Sequence, residues 1–240
     1  MAKVDPAQQL LAVRLADVRA RLAAAAERSG RHPDEVRLIA ISKTHPATVI
    51  KQVCQLGATD FGENRVQEAE GKIGEIGHEN VRWHLVGHLQ ANKARRAVNL
   101  FDVIHSLDTI DLAQRLDRLC AEEGRASLQV LIQVDLGHEE TKSGIDESEL
   151  PHLVESLGPL THLKLIGLMT LPPFFDDPEQ NRPFFRRLRM LRDELNQRGA
   201  FGDRTGELSI GMTHDFEVAI EEGATMVRIG SALFADLERE

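Results

Sequence analysis

Apolar and polar positions along this chain follow two different spacings. Near the start, Leu11, Leu15, Val18 and Leu22 recur at helical intervals with charges opposite, and Gly30 follows, which predicts one amphipathic helix. Beyond it, short apolar runs alternate with amphipathic stretches. The runs are VRLIAIS (36–42), ATDFG (58–62), VRWHLVG (81–87), FDVIHS (101–106), LQVLIQVD (128–135), LKLIGLMT (163–170), ELSIGM (207–212) and TMVRIG (225–230). Between them, Pro46 suits a first helical position, and Asp146 with Glu149 reads as a capping box. The stretch 182–198 places Phe185, Leu188, Leu191 and Leu195 on one face and ends before Gly199.

Strands that alternate with helices imply parallel pairing and right-handed crossovers. Eight such units in 240 residues predict an α/β fold, a (β/α)8 TIM barrel. A doubly wound open sheet is the alternative, because strand count alone does not prove closure. No linker or composition shift divides the chain, so residues 1–240 are expected to form one barrel domain. Only SALFADLERE follows the last strand, too little for a long eighth helix. The N-terminal helix is expected to fill that place.

Composition narrows the function classes. The chain has 29 Lys and Arg against 38 Asp and Glu, a net charge of −9, which argues against nucleic-acid and anionic-membrane partners. No apolar segment has the length of a membrane span, and the polar, partly acidic first 22 residues make a poor signal peptide. A soluble cytoplasmic monomer is expected. Cys54 and Cys120 lack metal-ligand spacing and read as buried reduced thiols. His84 and His88, four apart, lie on a strand and its exit, so core and rim positions fit better than a metal site. NKARR (92–96) reads as a solvated basic helix face, and GKIGEIG (71–77) lacks the strand–turn–helix setting of a dinucleotide site. The stretch RPFFRRLRMLRDEL (182–195) reads as a packed barrel helix in preference to an interaction surface.

Reactive residues of parallel barrels come from the C-terminal strand ends. In the last two such loops, SIGMTHDFEV offers Gly211 and Thr213 before a helix starting near Asp215, and VRIGSALF offers Gly230 and Ser231. Two adjacent glycine–hydroxyl turns predict a phosphate cup. Lys43 ends the first strand, where a low-dielectric mouth would disfavour its charge and make the amine nucleophilic toward an aldehyde. Pairing with a loop carboxylate such as Glu63 is the plainer alternative. Arg228, two residues before Gly230, would lie beside the phosphate loop if it points into the mouth, where an arginine suits a ring nitrogen. Phosphate, aldehyde and ring nitrogen together describe pyridoxal 5′-phosphate.

At these residues the chain resembles the pyridoxal phosphate homeostasis proteins, whose barrel is similar to the N-terminal domain of alanine racemase, of fold-type III. The matching segments are LIAISKTHPATVI, GATDFGENRVQEAEGKI, WHLVGHLQANKAR, IHSLDT, DLGHEETKSGI, LIGLMTLPP and LSIGMTHDFEVAIEEGATMVRIGSALF. The resemblance implies that Lys43 carries the cofactor as a Schiff base and that Arg228 approaches the pyridine nitrogen. It further implies that Thr213, with the backbone around Gly211, Met212, Gly230 and Ser231, holds the phosphate. Asn64 and Met169 would lie near the cofactor, and Ser209 is a further candidate. The chain departs from the family in having Thr213 where serine is usual, and Ala235 after Phe234 where glycine is common.

The family has no established reaction, and a racemase needs acid/base groups on both faces of the substrate carbanion. In alanine racemase one of these is a tyrosine, and this chain contains none. The expected role is therefore a non-catalytic carrier or buffer in vitamin B6 homeostasis, with apo-enzymes that use pyridoxal phosphate as possible recipients. The alternatives are an amino-acid racemase and a Schiff-base aldolase acting on a sugar phosphate.

Overall fold

The computed structural model describes residues 6–138 and 143–237. The strands are β1 (Arg37–Ile41), β2 (Asp60–Glu63), β3 (Arg82–Leu85), β4 (Val103–Leu107), β5 (Leu128–Gln133), β6 (Leu163–Met169), β7 (Glu207–Met212) and β8 (Met226–Ile229). All neighbours pair in parallel and in chain order, and β1 pairs with β8, so the sheet is a closed barrel. Closure excludes the open-sheet alternative. The strands read as near-continuous apolar runs because both sheet faces are covered, and all five residues of β4 are buried.

Helices cover the outside: α1 (Pro6–Arg28), α2 (Ala47–Gln55), α3 (Val66–Ile76), α4 (Ala94–Leu100), α5 (Ile110–Glu122), α6 (Leu150–Leu157), α7 (Arg182–Gln197), α8 (Phe216–Glu221) and α9 (Ser231–Phe234). Helix α5 starts where Thr109 Oγ1 accepts the Leu112 N–H at 3.2 Å. Helix α7 buries Phe185, Leu188, Leu191 and Leu195, the stripe expected from its spacing. Helix α1 buries Leu11, Leu15, Val18 and Leu22 and packs on α2, α8 and α9. Arg21 and Arg28 pair with Glu217 and Glu221 at 3.1 and 2.9 Å, and Arg14 donates to Leu233 O at 3.3 Å. The first helix thus occupies the eighth helical position.

Three local expectations shift. Pro46 is the residue before α2 and keeps extended backbone, with ψ 159. Asp146 caps a 3₁₀ turn, Glu147–Glu149, because Ser148 engages its carboxylate through both N–H (2.9 Å) and hydroxyl (2.6 Å); α6 begins only at Leu150. Cys120 is buried, but Cys54 is only half-buried. Residues 139–142 of the DLGHEETKSGI segment and 238–240 of the tail lie outside the described residues.

Strands β6 and β7 meet closely at Gly167, where an added Cβ would stand 2.1 Å from Glu207 O. The obstacle is backbone and cannot swing aside. Gly167→Ala is expected to destabilise the barrel by at least about 2 kcal/mol in urea unfolding, whereas Ala at the open helical position Gly74 is expected to stabilise it, by up to about 1 kcal/mol.

Candidate functional site

At the C-terminal ends of the strands, a cavity of about 460 Å³ opens. Lys43, Asn64, Met212 and Arg228 line it, together with Gln133 and Asp215 among others.

Lys43 stands on a tight turn. Ser42 N donates to Gly62 O at 3.0 Å, extending the β1–β2 pairing, and His45 N donates back to Ser42 O at 3.2 Å. Thr44 has φ 65, the left-handed region a β-branched residue rarely adopts. Its N–H donates to the Glu68 carboxylate. Beneath the turn, the buried Lys72 ammonium donates to Ser42 O (2.9 Å), Glu63 Oε1 (2.9 Å) and Glu68 Oε1 (2.7 Å). Ser42 Oγ donates to Glu63 Oε1 at 2.6 Å. Burial pushes the Glu63 carboxyl upward, while Lys72 favours its charged form. So the partner of Glu63 is Lys72, not Lys43. Among the described residues Lys43 has no ion-pair partner, and it is exposed at the rim, not enclosed as its strand-end position suggested.

Arg228 is the opposite case. It is 4% exposed, donates to Ser209 O (2.6 Å), Ser209 Oγ (2.7 Å) and Thr170 O (3.0 Å), and still lines the cavity. Among the described residues no carboxylate comes within 4.0 Å of it. Burial pushes its pKa down to about 10, opposed by the charge of Asp215.

Ser209 sits behind Arg228, not at the cavity surface, and begins a buried chain through the barrel. Ser209 Oγ lies 2.9 Å from His105 Nδ1, His105 Nε2 lies 2.9 Å from His84 Nδ1, and His84 Nε2 lies 2.9 Å from Asp60 Oδ1. Burial lowers the pKa of both imidazoles, that of His105 furthest. Burial presses Asp60 upward most strongly, but the bonds from His84 and Thr59 and the Arg37 charge together outweigh it and favour the ionised carboxylate. A carboxylate can only accept, so His84 carries its proton on Nε2 and accepts on Nδ1. His105 must then donate from Nε2 and accept from the Ser209 hydroxyl, which itself accepts from Arg228. Every donor points the same way, from the mouth to the floor.

The remaining candidates divide between flank and core. Gly211 has φ 88, and an added Cβ would meet Ala219 Cβ at 2.6 Å, so the turn before α8 needs glycine. Asp215 accepts from Met212 N and Asn181 Nδ2, both at 2.7 Å, which shapes that turn. Thr213 Oγ1 accepts the Ala232 N–H at 3.3 Å, tying the β7 loop to α9. Gly230 and Ser231 start α9, with the Gly230 Cβ position 3.5 Å from Ile41 Cβ on the cavity wall. Met169 is fully buried in the barrel interior and contributes packing. His84 is interior, while His88 stands on the rim 3.5 Å from Asp108 Oδ2. Among the described residues no group of three or more His, Cys, Asp or Glu could hold a metal ion. The sequence reading did not single out Gln133, Phe174 or Asp215 as cavity residues. Gln133, polar at the end of an apolar strand, was the one findable by the strand-end rule.

Residues 13–238 match the family model described as alanine racemase, N-terminal domain. The chain is 43% identical over 223 residues to the pyridoxal phosphate homeostasis protein of Aquifex aeolicus, covering 93% of this chain and 96% of that one. The chain belongs to the pyridoxal phosphate homeostasis protein family. The family member of Escherichia coli is 40% identical over 228 residues, covering 93% and 95% of the two chains. Among solved structures, PipY of Synechococcus elongatus with pyridoxal phosphate bound has a TM-score of 0.79 and 38% identity, covering 94% of this chain and 100% of that one. No helix among the described residues is long and apolar enough to cross a membrane.

Two measurements check the buried polar groups. Lys72→Met leaves Glu63 as an uncompensated buried carboxylate, so a loss of about 3–5 kcal/mol in urea unfolding is expected, partly recovered in the double variant with Glu63→Gln. The imidazoles titrate lower in the folded than in the unfolded chain, where the ordinary value is 6.5. Their contribution is complete above that pH and is lost as pH falls below it, because the unfolded state then binds more protons. Unfolding free energy is expected to drop between about pH 7.5 and pH 5, and less steeply in His84→Gln/His105→Gln.

Proposed function

We propose that this protein binds pyridoxal 5′-phosphate at the barrel mouth and buffers or delivers it without catalysing a reaction of its own. The observation that carries the reading is Arg228, a buried cation facing the cavity with no carboxylate partner among the described residues. A guanidinium held this way suits a neutral ring nitrogen as acceptor. Lys43, exposed on the same cavity, supplies the amine that condenses with the aldehyde, with loss of water. Thr213 and the backbone around Gly211, Met212, Gly230 and Ser231 hold the phosphate where the β7 loop meets α9. Asn64 lines the mouth, while Ser209 acts through Arg228 and Met169 through packing. A cavity of about 460 Å³ suits a molecule of this size.

Bound pyridoxal phosphate offers electron withdrawal, but Arg228 keeps a positive charge beside the ring nitrogen, which disfavours its protonation and weakens that capacity. The chain has no tyrosine to act as the second acid/base group. On this reading the protein works as a cytoplasmic monomer, and its recipients are apo-enzymes that require pyridoxal phosphate. Support for the role comes from the family relatives named above.

A catalytic reading has one observation of its own: His88 and His214, both exposed, also line the cavity. The purified protein is expected to be yellow, to lose the visible band in Lys43→Ala, and to bind about tenfold more weakly in Arg228→Gln. Loaded protein mixed with an apo-enzyme and a trap for free cofactor separates delivery from release. Amino-acid racemisation above the rate of free cofactor, lost in Lys43→Ala and His88→Gln, would establish the catalytic reading instead.

A further inference from the structure

At the other end of the barrel a second cavity, of about 440 Å³, opens among the first residues of the strands. Arg37 begins β1, Arg82 begins β3, Lys164 is second in β6, and Arg204 precedes β7; all four line this floor cavity. Arg125, Asp102 and Glu207 also line it. Five cations face two carboxylates here, in a chain whose net charge is −9.

Part of this charge is already engaged. Arg125 donates to Phe101 O (2.7 Å), Ser127 O (3.1 Å) and Val98 O, so it is a structural group. Asp102 accepts the Trp83 N–H at 2.8 Å, and Arg37 lies 3.5 Å from Asp60 Oδ1. Arg82, Lys164 and Arg204 differ. Among the described residues no carboxylate oxygen lies within 4.0 Å of any of the three. Arg82 is half-buried and donates to Gln129 Oε1, a neutral acceptor. Burial and the neighbouring Arg37 charge both press its pKa below the usual arginine value, opposed by the more distant carboxylates.

Like charges gathered in a concave site repel one another until an anion joins them. Guanidinium forks and an ammonium match phosphate and carboxylate oxygens. The volume fits a small molecule, and the acidic chain around it disfavours an extended polyanion. We propose that the floor cavity binds a small multivalent anion, a phosphate ester or a polycarboxylate, through Arg82, Lys164 and Arg204. This site is separate from the mouth and does not depend on the reading given to Lys43.

Calorimetric titration of the full chain with inorganic pyrophosphate, and separately with citrate, tests the proposal. One saturable site is expected, and the stronger of the two probes identifies the anion class. Lys164→Gln/Arg204→Gln is expected to weaken binding at least about tenfold. Both side chains are exposed and lack carboxylate partners, so the variant keeps the fold, which thermal unfolding verifies. Lys43→Ala is expected to leave the affinity unchanged. No saturable binding of either probe at low ionic strength overturns the proposal. So does an affinity that survives the floor variant, or one that is lost with Lys43→Ala alone.

Discussion

Everything at the mouth depends on the pairing of β1 with β8. A parallel sheet of eight strands leaves two rows of unpaired backbone groups unless its edges meet. Here they meet over four residues, with Arg37 opposite Met226 and Ala40 opposite Ile229. That register carries Lys43 and Gly230, far apart in sequence, to the same rim. His45 then stacks on Phe234 with ring centroids 5.1 Å apart, and the turn that holds Lys43 rests against the last helix.

Inside, the barrel does not follow the usual filling of branched apolar side chains in layers. Ile39, Val103, Leu131 and Met226 supply part of the interior, but His84, His105, Ser209 and Arg228 form a polar core beside them. Burying so many polar atoms is tolerable because each donor finds an acceptor in one consistent direction. A single imidazole in the other tautomer would set donor against donor. The same logic governs Lys72, whose three bonds hold two carboxylates and a carbonyl under the β1 turn.

Much of this was legible in the residues themselves. The alternation of apolar runs and amphipathic stretches yields all eight strands, because a doubly covered strand must be apolar throughout. The strand-end rule finds Lys43 and Arg228, and the brevity of SALFADLERE points to α1 as the missing outer helix. The supports of the site were not legible. Whether Glu63 belongs to Lys43 or to Lys72 is decided by the way α3 returns over β2, which no spacing reveals. The resemblance makes Ser209 a cofactor candidate, yet its neighbours turn it inward to His105. Pro46 and Asp146 moved by a turn or less, since a capping signal does not specify which of several local bonds wins.

The outer position taken by α1 bears on how the molecule is made. Arg21 reaches Glu217 across 196 positions of chain, and Arg14 reaches Leu233 across 219. During synthesis the apolar stripe of α1 has α2 to lean on, but α8 and α9 do not yet exist. Contacts this distant in sequence carry a closure cost that only the completed chain can meet. The ring is therefore completed only after residue 234 has been added, and with it the rim that joins Lys43 to Gly230. The mouth needs both ends of the chain, so no ligand that needs both sides of it can bind before the last strand and helix have been made.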